Sequence, residues 1–232
     1  MATEKLVHED VIAALRRIDT CVVSNAIEHF ELRLRNTGFA DSSVHCMFSD
    51  LPPLVGYAAT ARLRTVDPPM SGRPFHDRTD WWNSILQVPP PRIVVLEDMD
   101  RPAGVGALLG DMHAAILQAL GCVGYLTNGA VRELPRIREL GFQLFAGHVA
   151  VSHAYAHIFD LGAPVRVGGL EIQSGDLLHG DPHGILTVPK TIAAEIPQVA
   201  ENLQRAEQKV IDFCRSGHFS LERLRALVKE MT

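Results

Sequence analysis

The sequence predicts an α/β protein built on parallel crossovers, and three observations carry that prediction. Residues 93–96, 111–120, 123–126, 132–140 and 143–146 alternate in the order strand, helix, strand, helix, strand. Consecutive strands joined through a helix run parallel, so this stretch is the centre of the fold. Short apolar segments at 164–167, 170–172, 176–178 and 185–188 follow, separated by Gly168-Gly169, Ser174-Gly175 and Asp181-Pro182-His183-Gly184. They read as a β meander. Helical periodicity marks both ends of the chain, which is expected to form one domain over residues 1–232, with a core of about 20–190 and a helical extension over about 191–232.

In chain order, residues 9–17 (EDVIAALRR) place Val11, Ile12, Leu15 and Ile18 at helical spacing. Residues 20–24 (TCVVS) read as extended, with Ser24 as the cap of a helix over 25–30. Residues 33–53, rich in Asn, Gly, Asp, Ser and Pro, read as a long surface loop. The alternation in residues 56–66 (GYAATARLRTV) suits a strand exposed on one face. Pro68, Pro69, Gly72 and Pro74 break the chain before a helix over 77–88. Trp81 and Trp82 in that helix read as core anchors. Three prolines, 89–91, end it, because proline lacks an amide donor and restricts the residue before it. Residues 92–97 (RIVVLE) form the best candidate for a buried strand. Helices over about 193–214 and 220–231 close the chain.

Composition excludes several classes. A net charge of −5 and a pI near 6.1 leave no basic footprint for nucleic acid. No apolar run approaches the roughly 20 residues of a membrane span. Cys21, Cys46, Cys122 and Cys214 are scattered, with no CxxC, no zinc spacing and no secretory signal ahead of them, as expected of reduced cysteines in a cytoplasmic protein.

The chemistry concentrates in residues 104–133, GVGALLGDMHAAILQALGCVGYLTNGAVRE. The spacing Gly104-x-Gly106-x-x-x-Gly110 sets its third glycine one residue late for a dinucleotide fingerprint, no GK[ST] follows, and Asp111 stands where a pyrophosphate would approach. A small carboxylate can sit on the amides of Met112 and His113, since the first amides of a helix have no intrahelical partner and carry partial positive charge. Asp111 reads either as an N-cap or as an acid that positions water beside such a ligand. Asn128-Gly129 reads as a turn that delivers Arg132 to the start of the next helix. Asp111 and the Arg132-Glu133 pair then share the carboxyl edge of the sheet, where α/β proteins bind ligands. Because adjacent helical residues do not face each other, Arg132 and Glu133 are expected to have separate partners. Arg132 suits a carboxylate or keto oxygen, and Glu133 suits a hydrated Mg²⁺ or Mn²⁺. His153 and His157 (HAYAH) lack the HExxH glutamate; His179 and His183 read equally as ligand-facing or as turn residues. No Gly-x-Ser-x-Gly or local Cys/His signature supports nucleophilic catalysis.

At these residues the chain resembles the RraA-like proteins, which include class II 4-hydroxy-4-methyl-2-oxoglutarate/4-carboxy-4-hydroxy-2-oxoadipate aldolases and the regulator of ribonuclease activity A. The aldolase signature is an Asp, twenty intervening residues, then Arg-Asp; here residues 112–131 separate Asp111 from Arg132-Glu133. Gly110-Asp111-Met112-His113-Ala114 and Thr127-Asn128-Gly129-Ala130-Val131-Arg132-Glu133 match the two family turns. Residues 167–169, 174–177 and 180–184 also look familial. The resemblance implies a swivelling β/β/α fold in a homotrimer or hexamer, with sites between subunits; separately, the long C-terminal helices can reach across such an interface, with Glu201 or Glu207 as a contributor. It implies a divalent metal on the acid at 133, pyruvate-type ligands on Arg132 and the turn amides (Gly110, Met112, His113), and Asp111 organising water. The implied activity is cleavage of a 2-oxo acid through a pyruvate enolate, as an aldolase or an oxaloacetate decarboxylase. The alternative is a non-catalytic ribonuclease regulator on the same scaffold. Glu133 for Asp and Asn128 for Asp depart from the family pattern.

Overall fold

A computed structural model describes residues 6–70 and 79–229. In chain order its elements are α1 (Glu9–Leu15), α2 (Thr20–Glu28), β1 (His45–Cys46), β2 (Leu54–Arg64), α3 (Thr79–Leu86), β3 (Arg92–Asp98), α4 (Asp111–Ala119), β4 (Cys122–Val131), α5 (Leu134–Glu139), β5 (Gln143–Val149), β6 (His157–Phe159), β7 (Val165–Val167), β8 (Leu170–Ile172), β9 (Leu177–Asp181), β10 (Gly184–Val188), α6 (Ile196–Arg215) and α7 (Leu221–Lys229).

The main sheet runs β1-β5-β4-β3-β2-β9-β10, with β6 on the outer end of β2. The β2-β3-β4-β5 pairings are parallel, as the alternation of strands and helices requires; β1, β6, β9 and β10 join antiparallel. Side chains alternate across the sheet with the strand period of two. In β3, Val94 and Leu96 enter a core shared with the helices, while Ile93 and Val95 enter a second core. The β7-β8 hairpin, a separate two-stranded sheet, covers that second face with Val165, Val167, Leu170 and Ile172. Hairpin, sheet and helices form three layers, the swivelling β/β/α arrangement.

This layering corrects two readings. The strand at 56–66 was expected to expose one face, but β2 is buried on both through residue 61, because the hairpin closes the far side. The meander divides: β7 and β8 form the covering hairpin, while β9 and β10 extend the main sheet through β2. Their short spacing in sequence did not reveal that they belong to different layers.

The start of α2 also differs. The helix begins at Thr20, and Asp19 accepts the Val22 amide at 2.9 Å as the N-cap. That cap satisfies a donor with no helical partner, and Val23 is buried against the core, so the β-branched pair continues a helix rather than a strand. The loop expected over 33–53 contains only the short β1. Residues 77–78 and 230–231 of the expected helices, and Gly72 and Pro74, lie outside the described residues. Ile196, Val199, Ala200 and Leu203 of α6, at helical spacing, pack on the main core; α7 buries no residue. No helix among the described residues is long and apolar enough to cross a membrane.

Candidate active site

The site forms where three chain segments leave the carboxyl edge of the parallel strands. Leu109 makes a parallel bridge to Val131, and the Arg132 amide donates to the Leu109 carbonyl at 3.1 Å. On the other side, the Ala150 amide donates to the Val131 carbonyl at 3.1 Å. These bonds set Gly110-Asp111, Arg132-Glu133 and Val149-Ala150-Val151 side by side.

β4 continues to Val131, so Asn128-Gly129 is not the turn its residue types suggested. The pair sits where the register shifts between Thr127 and Ala130. There the Asn128 side chain bonds the end of β3, accepting the Asp98 amide at 2.7 Å and donating to its carbonyl at 3.0 Å. The second bond needs an amide donor, which the Asp of the family pattern lacks. The turn to α5 falls instead at Glu133, whose φ of +58° puts a non-glycine residue in the left-handed region. Such conformations concentrate at functional sites.

That geometry overturns the expectation of separate partners. Arg132 Nη2 donates to Glu133 Oε1 at 2.7 Å, because neither residue is inside a helix and the left-handed turn folds the glutamate back. Glu133 Oε2 accepts the Asp111 amide at 3.0 Å. Gly110 permits this approach: a Cβ there would lie 2.2 Å from Glu133 Oε2. Gly110 is the N-cap of α4, and Asp111 its first residue. Asp111 Oδ1 accepts the Met112 amide at 2.7 Å, and Oδ2 accepts from Arg136 Nη1 at 3.1 Å. The Arg136 guanidinium, aided by that amide, holds the Asp111 carboxyl below the usual carboxylate range. The helix start therefore already carries two protein carboxylates, with the Met112 amide engaged by Asp111. Met112 itself is exposed and His113 half-buried.

Arg132 and Glu133 border a cleft of about 460 Å³ whose other walls are Leu134, Pro135, Val149, Ala150 and Val151. The cleft thus presents an ion-paired guanidinium and carboxylate against apolar walls. Arg136 escaped the sequence reading, although it lies three residues after Glu133; its approach to Asp111 depends on α4 packing beside α5. The early glycines have structural partners: the Gly104 amide donates to Asp98 Oδ2 at 2.7 Å and that of Gly106 to Thr65 Oγ1 at 3.0 Å.

His153 and His157 each contact a nearby backbone carbonyl, those of Ala154 and Tyr155. His179 lies within β9, fully buried between Thr20 Oγ1 and the Leu15 carbonyl, each 3.0 Å away. Burial pushes its pKa down, against the opposing Leu15 carbonyl, Asp181 and Asp19. The unfolded chain therefore takes up a proton near the ordinary value of 6.5 while the folded chain resists. Stability falls as pH drops below about 6.5 and levels only once folded His179 protonates. In denaturant titrations, His179→Gln should flatten this acid limb; an unchanged slope would assign the loss to other groups. His183, by contrast, is exposed in the β9-β10 turn.

The fold and cleft define an α/β protein with a polar-edged cleft at the carboxyl ends of its parallel strands. The chain belongs to the RraA-like family, whose model, described as Aldolase/RraA, matches residues 20–187. A protein of Halalkalibacterium halodurans named "Putative 4-hydroxy-4-methyl-2-oxoglutarate aldolase" is 30% identical over 107 residues, 46% of this chain and 48% of that one. A protein of the same name from Ectopseudomonas mendocina is 34% identical over 89 residues, 38% and 54% of the two chains. The chain thus matches about half the length of these relatives. A solved uncharacterised protein from Pseudomonas syringae superposes with a TM-score of 0.72 at 21% identity, covering 97% of this chain and 99% of that one. The Streptomyces coelicolor protein RraAS2, described as an unusual member of the RNase ES inhibitor RraA family, gives 0.68 at 22% identity, covering 88% and 97%. At these identities the solved structures establish the fold.

Proposed function

We propose that the protein is a lyase that cleaves a C–C bond of a 2-oxo acid through a pyruvate enolate, acting on a 4-hydroxy-2-oxo acid, on oxaloacetate, or on both. The observation that carries this reading is the Arg132-Glu133 pair at the mouth of the apolar cleft, with Asp111 beside it. Arg132 binds the carboxylate and keto oxygen of the substrate with its planar fork, so that enolate charge develops against a fixed cation. The apolar walls lower the local dielectric and strengthen that attraction. Asp111, held ionised by Arg136, is a poor proton donor at neutral pH. It instead orients a water that takes the proton of the leaving hydroxyl and returns one to the enolate carbon, which becomes the pyruvate methyl.

The hard oxygens of Glu133, and of Asp111 through water, suit a largely hydrated Mg²⁺ or Mn²⁺. When bound there, such an ion would supply Lewis-acid stabilisation of the enolate oxygen. The cleft is open, and Val149 and Val151 beside it are 59% and 97% exposed. A neighbouring copy in a homotrimer or hexamer would cover these apolar side chains and complete the site. The four cysteines are unpaired, which suits a reducing cytoplasm.

The test is pyruvate release from oxaloacetate and from 4-hydroxy-4-methyl-2-oxoglutarate, with Mg²⁺ and with EDTA. Release that requires the metal supports the reading. Rates equal to the protein-free background under both conditions would remove it and favour the regulator-like alternative.

A further inference from the structure

The β9-β10 turn meets the start of α2 in a second cluster that the proposed chemistry does not use. Asp19, Cys21 and His183 each present a donor atom, and the three lie within 4.8 Å of one another. Among the described residues this is the one group of three or more such side chains placed to hold an ion. We propose that Asp19, Cys21 and His183 bind a borderline-soft divalent cation of the Zn²⁺ class, clipping the start of α2 to the β9-β10 hairpin.

The arrangement behind the donors supports this assignment. Asp181, 2% exposed, accepts the Thr20 amide on Oδ2 at 2.8 Å. Its Oδ1 takes the His183 amide at 2.8 Å and lies 3.1 Å from His183 Nδ1. One buried carboxylate thus fixes both donor-bearing segments and occupies one imidazole nitrogen. Nε2 is then the nitrogen that meets a metal, the carboxylate-histidine-metal arrangement common in zinc sites. Asp19 spends Oδ1 on capping α2 and keeps Oδ2 for an ion. Neither Asp19 nor Asp181 has a Lys or Arg partner among the described residues.

Donor chemistry decides the ion. Thiolate, imidazole and carboxylate together suit Zn²⁺ and discriminate against Mg²⁺, which prefers oxygens. Tetrahedral Zn²⁺ with bonds of roughly 2.0–2.3 Å sets its ligands about 3.3–3.8 Å apart, so the donors, all within 4.8 Å of one another, need to close by no more than about 1.5 Å. Cys21 and His183 are exposed and can turn to do so. The fourth position opens on a cleft of about 200 Å³ bounded by Ser24, Phe39, Ile185 and Leu186, which leaves room for water or a small ligand. The elements involved, α2 and the β9-β10 turn, differ from those carrying Arg132 and Glu133.

Co²⁺ titration of the reduced, metal-free full chain tests the site without reference to activity. One equivalent should produce a thiolate-to-Co²⁺ charge-transfer band that Zn²⁺ bleaches and excess Mg²⁺ leaves intact. Cys21→Ser should abolish the band. Asp19→Asn, which preserves the helix cap, should weaken binding with no change in the metal-free melting temperature. Cys214→Ser and Glu133→Gln should retain the band. Its absence from the parent protein, its survival in Cys21→Ser or its loss in Cys214→Ser would overturn the site. Its loss in Glu133→Gln, a substitution outside the cluster, would overturn it as well.

Discussion

Arg132→Ala is expected to lower kcat/KM for 2-oxo acid cleavage by about 10²–10³-fold, the usual cost of deleting a group aimed at developing negative charge. The melting temperature should change little. Arg132 is partly exposed, and among the described residues its guanidinium bonds Glu133 Oε1 and, at 3.4 Å, the Val151 carbonyl; ion pairs in such settings contribute at most about 1 kcal/mol. Arg132→Lys should recover only part of the loss, because an ammonium keeps the charge without the planar fork. Steady-state pyruvate assays on the three proteins separate these outcomes. Full activity in Arg132→Ala would exclude the guanidinium from substrate binding and with it the proposed chemistry.

Gly110→Ala is the second large effect, and it should separate function from stability. The new methyl would meet Glu133 Oε2 at 2.2 Å and Arg132 Nε at 3.3 Å. Gly110 has an extended backbone, with φ of −129°, which alanine adopts without strain. Its obstruction is the mobile end of a side chain, so the fold yields by expelling the carboxylate. Glu133 then leaves the Asp111 amide and loses its alignment with Arg132. The expected result is a melting temperature near that of the parent, with the Mg²⁺ concentration for half-maximal activity raised at least about tenfold, in line with losses of groups that orient metal ligands. A variant with unchanged Mg²⁺ dependence would show that the Glu133 position seen here is not the one that serves the metal.

Both predictions depend on a contact that the chain pattern did not disclose. Glu133 and Arg132 were legible as a charged pair at a sheet edge, and their spacing from Asp111 was legible too. Their mutual bond was not, because the rule that adjacent residues face apart holds inside a helix, whereas Glu133 is a left-handed residue outside one. Arg136 was missed for a related reason: its partner Asp111 lies on another helix, and only the packing of α4 beside α5 joins them. Asn128-Gly129 has the composition of a turn, yet a register shift in β4 absorbs it. The bonds to Asp98 that hold Asn128 there span 30 residues.

The histidines divide along the same line. Local sequence left His179 and His183 equivalent, while strand β9 buries the first and the turn exposes the second. Cys21 and His183 lie far apart in the chain, and no local zinc spacing could have joined them; the cap at Asp19 and the reach of Asp181 bring them together.

What the sequence by itself determined are the features carried by short periods and local bonding: the strand-helix alternation of the parallel core, the proline and glycine stops, the amphipathic α6, and the location of the acidic and guanidinium groups at strand ends. Tertiary structure alone decided which strands share a layer, that β2 is covered on both faces, and which charges touch. Those outcomes depend on contacts between distant segments, where burial and close approach select one arrangement among many that the same local patterns permit.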